Sequence, residues 1–368
     1  MSRERLLAIE AELNTRYLQR HEEIRGLLLA LLSRNHIELL GPPGTAKTQL
    51  VYDFEDYLVD SMGSDLKFSW LFTKFTTIDE VMGPVSIQGM KEDRYTRITK
   101  GKLPEARFAY FDEIYKANSP LLNSLLSILQ EGIFYNNGGS MSCPLQMCVG
   151  SSNELPDEDE GLTALRDRFL LRYQVQYVQD ADVFAELINL KHPAKLVSKL
   201  TTNELDICIQ EVDALQHTPD TVKSLVLVWE KFREHGLVVS DRRFKQMLRV
   251  MAAESWLSGA SEVTPDSLIV GEHILWELPE NIRDVKQIVR SSVSPTLAEA
   301  QEFLAAASEG LASIANESSS SEEQLGVVRQ IRYILADCEA LTQTANVAVI
   351  TKQIKDIEQQ VLTKVLGT

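Results

Sequence analysis

The chain has 368 residues, of which 44% are apolar, and a formal net charge of −16. Its length predicts two or three packed domains, and its net acidity argues against general electrostatic binding to nucleic acids or anionic membranes. No apolar run approaches the roughly 20 residues of a membrane-spanning helix, and the charged first residues do not resemble a signal sequence, so we expect no membrane span and a cytoplasmic location.

The cysteines and histidines indicate neither a disulfide framework nor a metal site. A chain of this size is not expected to depend on disulfides, and its six histidines show no metal-ligand spacing. The four cysteines show no zinc pairing, and we interpret Cys143 and Cys148 as small apolar side chains near a hairpin.

The N-terminal part predicts two helices within residues 2–33, a short strand at Ile37–Leu40 and a helix from Gln49 to about Leu58. A glycine-rich loop joins that strand to that helix. Its residues are Gly41, Pro42, Pro43, Gly44, Thr45, Ala46, Lys47 and Thr48. Strand, glycine-rich loop and helix in this order are the context of a phosphate-binding loop, although an ordinary Gly/Pro turn has the same outline.

Each part of this loop has a chemical role in such a site. Successive backbone N–H groups and the helix N-terminus would bind phosphate oxygens. Lys47 would reach the β- and γ-phosphates, and the Thr48 hydroxyl would hold Mg²⁺. Ala46 stands where the full pattern has its second fixed glycine, which brings a methyl group close to the phosphates.

Polar side chains follow two further apolar strands. The run Phe108–Phe111 ends at Asp112 and Glu113, and the carboxyl ends of buried parallel strands meet at one edge of a sheet. Asp112 would therefore hold Mg²⁺, and Glu113 would polarise an attacking water. Asn153, which ends the strand that starts at Leu145, would orient that water. The alternatives are a solvated acidic turn and an ordinary turn asparagine.

Two insertions interrupt the alternation of strands and helices between residues 36 and 174. In the first, from about Gly83 to Leu103, we expect Ser86–Gln88 to pair with Tyr95–Ile98. Its basic side chains form either a solvated hairpin face or a substrate-gripping loop. The second, Gly132–Pro144, contains Asn-Gly and Gly-Gly, which are strong hairpin signals.

Arginines cluster at Arg166–Arg168 and again at Arg242–Arg243. The planar guanidinium gives bidentate, always-charged contacts to phosphate, although surface salt bridges would use the same residues. The acidic run Asp157–Glu160 lacks the spacing of a calcium loop, and we predict a solvated turn there.

From about Val175 onward the pattern is helical, as in Asp182–Leu190, Thr221–Glu234 and Asp241–Leu257. Residues 290–368 predict three amphipathic helices, which can bury one another as a bundle. This bundle is either a docking module or a simple extension of the preceding helices.

Together these motifs resemble the MoxR-type AAA+ ATPases, most closely their RavA branch, over roughly residues 15–285. GPPGTAKT is similar to the MoxR form of Walker A, in which an alanine before the lysine is common, and FAYFDE is similar to Walker B. SSNELP resembles the sensor-1 turn, LRDRFLLR the arginine-finger helix and VVSDRRFK the sensor-2 segment. The two insertions resemble those of the helix-2-insert clade, where they face the axial channel of a ring.

The resemblance implies an α/β fold. We expect an AAA+ P-loop NTPase core, with a parallel sheet and helices on both faces, at residues 1–176. An all-α lid would follow at 177–285 and a C-terminal helical extension at 286–368. The adenine edge of the site would lie near Arg20 and His21.

The resemblance also implies ATP hydrolysis with Mg²⁺ in a homo-hexameric ring, coupled to chaperone-like remodelling or maturation of protein complexes. Arg242 would contact the γ-phosphate from the lid of the same subunit, and Arg168 would be the finger supplied to a neighbour's site. Arg166 and Arg243 are the second choices for these roles. MoxR-type proteins typically act with a von Willebrand factor A domain partner; the sequence does not name the client.

Two other functions are weighed against this one. A nucleic-acid motor or restriction-type NTPase of the same clade is disfavoured by the net acidity and by the lack of a DNA-reading motif. A GTP-driven switch is disfavoured because the chain has no Asn/Thr-Lys-x-Asp run to read guanine.

Overall fold

A computed structural model describes residues 2–60, 67–155, 160–189, 199–293, 295–313, 321–341 and 345–366. Its strands are β1 (His36–Leu40), β2 (Leu58–Val59), β3 (Lys67–Leu71), β4 (Phe108–Asp112), β5 (Ile133–Asn136), β6 (Gly139–Ser142), β7 (Met147–Ser152), β8 (Phe169–Gln174) and β9 (Leu200–Thr201). Its α-helices are α1 (Ser2–Arg16), α2 (His21–Ser33), α3 (Lys47–Asp56), α4 (Ile78–Met82), α5 (Ile87–Lys91), α6 (Ser119–Glu131), α7 (Glu160–Arg166), α8 (Ala181–Asn189), α9 (Thr202–Ala214), α10 (Pro219–Glu234), α11 (Asp241–Leu257), α12 (Ile282–Val293), α13 (Pro295–Ser313), α14 (Ser321–Ala340) and α15 (Ala345–Leu366).

Five strands form one parallel sheet in the order β3-β4-β7-β1-β8. In the middle of the sheet, Ile37 of β1 pairs with Val149 on one side and with Leu171 on the other. The strands all run in the same direction, so the segments that follow β1, β4 and β7 emerge at the same edge. The predicted α/β fold with a parallel sheet is confirmed.

Apolar runs allow this sheet to be covered on both faces. The strands β1 and β7 are buried along their whole length, and β4 is buried except at its last residue. Helix α6 packs Leu121 and Leu125 into a cluster with Phe111 and Phe169. Its first turn is capped by Asn118, whose side chain accepts a hydrogen bond from the backbone N–H of Leu121.

The two insertions behave differently. The second forms the predicted hairpin, β5 and β6, with Asn137 and Gly138 at φ values of 54° and 75° in the turn. The strand pairing predicted for the first is wrong beyond Ser86, because residues 87–91 are helical. Val85 and Arg97 form an isolated antiparallel bridge, next to which the Ser86 backbone N–H donates to the carbonyl oxygen of Thr96 at 2.7 Å. Ser86 caps α5 by accepting a hydrogen bond from Gly89 N at 3.1 Å, which favours helix over strand there.

The chain divides into two compact units. The first consists of residues 1–217, 239–263 and 273–279 and contains the large sheet, α9 and α11. The second consists of residues 218–238, 264–272 and 280–368 and contains α10, α12 and the three C-terminal helices. The domain boundaries at residues 176 and 285 stay a prediction.

Within the second unit, the three C-terminal helices form the predicted bundle. They bury one another through a shared cluster of Ala300, Ala307, Val328, Ile331, Ile334, Cys338, Ile350, Ile354 and Val361. In the described ranges, no helix combines the length and the apolarity that crossing a bilayer requires. Of the predicted acidic turn at 157–160, residues 157–159 lie outside the described residues, and Glu160 begins α7.

Candidate active site

The loop between β1 and α3 has a backbone that its two glycines permit. A Cβ on Gly41 would lie 2.0 Å from the carbonyl oxygen of Val175, so no side chain fits at that position. Gly44 has φ +80°, a left-handed conformation that glycine adopts without steric cost. The loop leads directly into the N-terminus of α3, where backbone N–H groups without helical partners can bind an anion.

The backbone conformation of Ala46 accounts for the glycine that the full motif has at this position. It precedes α3 with φ 62°, which is also left-handed. An alanine in this conformation costs roughly 1–2 kcal/mol more than a glycine would. The position where the full pattern has glycine is therefore a position of backbone strain in this chain.

The Lys47 ammonium lies inside the loop that would hold phosphates. Its Nζ donates to the carbonyl oxygen of Gly41, to that of Pro42 at 2.9 Å and to Oδ1 of Asn153 at 3.1 Å. Burial lowers the pKa of Lys47, although Asp112 and Glu113 act in the opposite direction. Loop carbonyls and Asn153 thus position the cation where phosphate oxygens would arrive.

Thr48 and Asp112 converge as the predicted pair of oxygen ligands. The Thr48 hydroxyl donates to Oδ2 of Asp112 at 3.2 Å. The other carboxylate oxygen, Oδ1, accepts from Ser151 Oγ at 2.6 Å, and the Tyr110 hydroxyl donates to Thr48 Oγ1 at 3.1 Å. A hydroxyl and a carboxylate are the hard oxygen donors that Mg²⁺ prefers, so the residues fit that ion.

The two supporting side chains, Tyr110 and Ser151, were missed by sequence reasoning. Both lie near the ends of buried strands that otherwise consist mostly of apolar residues, and that contrast was the available signal. Burial raises the pKa of Tyr110 well above its ordinary range, so its hydroxyl stays a neutral donor. These contacts orient Thr48 and Asp112 before any ligand binds.

Glu113 and Asn153 meet at the same edge of the sheet. The Asn153 amide Nδ2 donates to Oε1 of Glu113, while Oδ1 of the same amide accepts from Lys47. Glu113 adopts φ 54°, a left-handed conformation that turns the chain into the 3₁₀ turn Ile114–Lys116. The predicted residues Lys47, Glu113 and Asn153 are therefore joined by direct hydrogen bonds.

A cavity of about 910 Å³ opens beside the loop and is lined by Gly44, Thr45 and Ala46. Asp53, which also lines the cavity, accepts hydrogen bonds from Arg16 at 2.7 Å, from Tyr17 at 2.8 Å and from Gln49 at 2.9 Å. Its volume is in the range that small-molecule and cofactor sites occupy. The cavity can thus hold a nucleoside whose phosphates lie on the loop.

Arg20 lines this cavity, and the adenine edge near Arg20 and His21 stays a prediction. Its guanidinium donates to the carbonyl oxygen of Gln176 at 2.6 Å and to that of Thr45 at 3.4 Å. Tyr177 also donates from its hydroxyl to the carbonyl oxygen of Pro43 at 3.0 Å. Sequence reasoning did not select Asp53 or Tyr177, because Arg16 and Tyr17, which bond to Asp53, and Pro43, which bonds to Tyr177, are distant from them in sequence.

Arg168 lies at the opposite edge of the sheet from the phosphate loop. It immediately precedes β8, whose first residue, Phe169, pairs with His36 at the start of β1, whereas the loop follows Leu40 at the end of β1. Five residues of strand separate the two edges by roughly 16 Å. Arg168 therefore lies far from the phosphate loop of its own chain, as a residue supplied to a neighbour would.

Arg242 lies with Arg168, which corrects the expectation that it contacts a nucleotide in its own chain. Both arginines pair with Asp167, Arg168 at 3.2 Å and Arg242 at 3.7 Å. Burial and the neighbouring Arg242 lower the pKa of Arg168. The physical reason is that α11 packs in the first unit against the start of β8, which sequence patterns did not reveal.

Arg166 and Arg243 are wrong as second choices for phosphate contacts, because both are buried. Arg243 donates to the carbonyl oxygens of Leu170 at 2.9 Å and Ile274 at 3.0 Å. Burial lowers its pKa to about 9. Arg166 pairs with the buried carboxylate of Glu38 at 3.4 Å. Both guanidiniums are thus committed inside the fold.

Comparisons with known proteins identify the family of this chain. Residues 4–217 match the family model of the MoxR domain in the MoxR-vWA-beta-propeller ternary systems. Residues 220–289 match the model of an AAA lid domain. The matched domain contains the whole phosphate loop, Asp112, Glu113 and Asn153.

Individual proteins and a solved structure are also similar to this chain. An uncharacterized protein of Methanocaldococcus jannaschii is 35% identical over 286 residues, which cover 77% of this chain and 73% of that protein. Chaperone MoxR1 of Mycobacterium tuberculosis is 30% identical over 249 residues, which cover 65% of this chain and 60% of that one. The crystal structure of a candidate ATPase from Cytophaga hutchinsonii matches with a TM-score of 0.61 at 20% identity, covering 79% of this chain and 94% of that one, and shows a shared fold.

Proposed function

The chain belongs to the MoxR family of AAA+ ATPases, and from this premise we propose that it hydrolyses Mg²⁺-ATP in a hexameric ring and uses the energy to remodel protein complexes. The observation that carries the proposal is the convergence of Lys47, Thr48, Asp112, Glu113 and Asn153 at one edge of the sheet. These residues come from the carboxyl ends of three different strands and the segments that follow them, and together they can bind phosphates, hold Mg²⁺ and polarise water.

In this proposal each residue has one task. The loop amides and Lys47 bind the phosphates, and Thr48 and Asp112 hold Mg²⁺, which neutralises charge that develops on the phosphate oxygens. Glu113 polarises the attacking water. The hydrogen bond from Asn153 to Glu113 supports a role for Asn153 in aligning that water with the carboxylate.

The opposite edge of the sheet supports assembly into a ring. Arg168 and Arg242 lie about one strand length away from the phosphate loop of their own chain. A nucleotide that they contact therefore belongs to another copy. Head-to-tail contacts that close by rotation form rings, and we propose a homo-hexamer in which each copy presents both arginines to its neighbour's site.

The matched family model points to the class of partner. It describes MoxR domains that occur in ternary systems with vWA and β-propeller proteins, so we propose a von Willebrand factor A domain protein as the partner. The four cysteines are buried thiols that form no disulfide, which supports a reducing, cytoplasmic location.

The hydrolysis proposal is tested with Glu113→Gln. This variant keeps the phosphate loop, so ATP binding should stay nearly intact while turnover falls by about 10²-fold or more. Lys47→Ala should instead weaken ATP binding itself. Glu154→Gln is the matched control, because Glu154 is exposed and lies one residue after Asn153. This variant should hydrolyse ATP at the parent rate. Turnover of Glu113→Gln at the parent rate would remove Glu113 from the catalytic role.

The ring proposal is tested by mixing inactive variants under conditions that allow subunit exchange. Lys47→Ala mixed with Arg168→Ala should recover activity, since an intact loop can face an intact arginine. Arg168→Ala mixed with Arg242→Ala should not, because no site then receives both arginines from its neighbour. Recovery in that second mixture would instead show that Arg242 acts within its own chain.

A further inference from the structure

A charged residue lies in the centre of the sheet, where apolar residues are the rule. Glu38, in the middle of β1, is fully buried, and its register partner on β8, Arg172, is 1% exposed. Desolvating such a pair costs about as much as the attraction returns, so it contributes little net stability. Stability alone therefore does not account for these residues.

The contacts of Glu38 connect two distant parts of the first unit. Its Oε1 accepts a hydrogen bond from the Tyr115 hydroxyl, and both carboxylate oxygens lie 3.4 Å from Nε of Arg166. Arg172 Nε lies 3.9 Å from Oε2. One buried carboxylate thus holds a tyrosine on one side and two arginines on the other.

Each end of this connection is adjacent to a group of the proposed ATPase cycle. Tyr115 belongs to the 3₁₀ turn Ile114–Lys116 that starts directly after Glu113. At the other end, Arg166 precedes Asp167, which pairs with both Arg168 and Arg242. Movement at Glu113 would therefore be transmitted through Tyr115 and Glu38 to the segment that holds the two arginines.

The hydrogen bonding of this buried network is incomplete, so its contacts can rearrange. Arg166, Arg172 and Arg243 are three buried guanidiniums, and Glu38 is the one buried carboxylate that pairs with them in the described part of the chain. Within that part, Nη2 of Arg166, Nε of Arg172 and Nη1 of Arg243 make no hydrogen bond.

The compensating charge comes from a more exposed position. Glu277 is 44% exposed and pairs with Arg172 at 2.7 Å. Burial alone would raise the pKa of Glu277, but Arg172 and Arg243 outweigh it and lower that pKa, so the side chain stays ionised. Since some guanidinium N–H groups make no hydrogen bond, exchanging one carboxylate contact for another costs less free energy than it would in a fully bonded network.

We propose that Tyr115 and Glu38 are positioning residues that couple the nucleotide state of a subunit to the arginines which it presents to its neighbour. The inference rests on the proposed function, since it requires a neighbour's site. In it, the nucleotide determines the position of Glu113, and the buried network then adjusts Arg168 and Arg242. A subunit with bound nucleotide would thus stimulate its neighbour differently from an empty one.

The experiment uses mixed rings in which only one kind of site can hydrolyse ATP. The acceptor subunit carries Arg168→Ala and needs a neighbour's arginine. The donor subunit keeps both arginines and carries either Glu113→Gln, which retains nucleotide, or Lys47→Ala, which does not. With donors in excess, the hydrolysis rate reports how well each donor state stimulates acceptor sites. The two donor states should differ at least about fivefold, the lower range of allosteric coupling.

Tyr115→Phe in the donor then tests the connection. It removes only the hydroxyl that reaches Glu38, whereas removal of the Glu38 carboxylate would leave buried guanidiniums without their anion. With Tyr115→Phe the two donor states should stimulate equally. Tyr57→Phe, which changes a buried tyrosine outside this network, is the matched control and should keep the difference.

The outcomes separate the inference from the function on which it rests. A purely structural role of Tyr115 would lower both rates and preserve their ratio, and that result would overturn the inference. Equal stimulation by the two kinds of donor that keep Tyr115 would overturn it as well. No activity in any mixed ring, despite demonstrated co-assembly, would instead refute the proposed arrangement of neighbouring sites.

Discussion

Glu55 makes the stability of the nucleotide-binding unit depend on pH. It lies near the end of α3, is 3% exposed, and its Oε1 makes no hydrogen bond within the described residues. Burial raises its pKa from the ordinary 4.5 to about 7, with Lys67 acting in the opposite direction. The folded protein thus retains this proton at pH values where the unfolded chain has released it.

The sign and size of the effect follow from proton linkage. Because the folded form binds the proton more tightly, the contribution of Glu55 to stability is fully present below pH 4.5 and is lost as the pH rises through about 7. Glu55→Gln removes this loss without changing the size of the side chain. Between pH 5.5 and 8.5 the gain in free energy of unfolding from the substitution should grow by about 2 kcal/mol.

The measurement is urea denaturation of parent and variant at both pH values, without nucleotide so that binding does not contribute. The lower pH stays above the pI of about 4.9. Glu131→Gln, at an exposed glutamate that ends α6, is the matched control for the loss of a carboxylate. If Glu55→Gln stabilised equally at both values, Glu55 would be ionised in the fold and the reasoning would be wrong.

Three further predictions concern the loop, the cavity and the bundle. Ala46→Gly should relieve the left-handed strain at φ 62° and stabilise the protein by about 1 kcal/mol, measured as a shift of the urea midpoint with ATP binding retained; a loss of stability would contradict the strain. Asp53→Ala should weaken ATP binding about tenfold, since Arg16, Tyr17 and Gln49 lose their shared hydrogen-bond acceptor. Titration with a fluorescent nucleotide measures this affinity, and an unchanged value would show that the nucleoside does not bind in this cavity. Truncation after Val293 should give a monodisperse protein with the parent ATPase rate, whereas truncation after residue 315 should aggregate because α13 then exposes its apolar face; light scattering distinguishes the two, and loss of hydrolysis in the shorter protein would show that the bundle supports the site.

Local signals were enough to predict the main elements of the active site. The loop with Lys47 and Thr48, and the acids Asp112 and Glu113, each follow an apolar run directly, so strand direction alone brings them to one edge. The hairpin of β5 and β6 was equally local, because its turn chemistry lies within a few residues. The predicted strand at Ser86–Gln88 was wrong for a reason that is also local. The Ser86 side chain caps a helix by accepting a hydrogen bond from Gly89 N, and the strand pattern contains no information about that bond.

Residues whose role depends on partners far along the chain were decided by tertiary structure. Tyr110 and Ser151 orient Thr48 and Asp112 only because β4 and β7 are neighbours in the sheet. Arg242 joins Arg168 because α11 packs beside β8, over 70 residues away in sequence. The sequence determined which segments become strands, helices and a phosphate loop, since these depend on apolar periodicity and backbone geometry. Which charged groups are buried together, and which edge an arginine occupies, depends on strand order and helix packing, and that is set by the burial of side chains from distant segments.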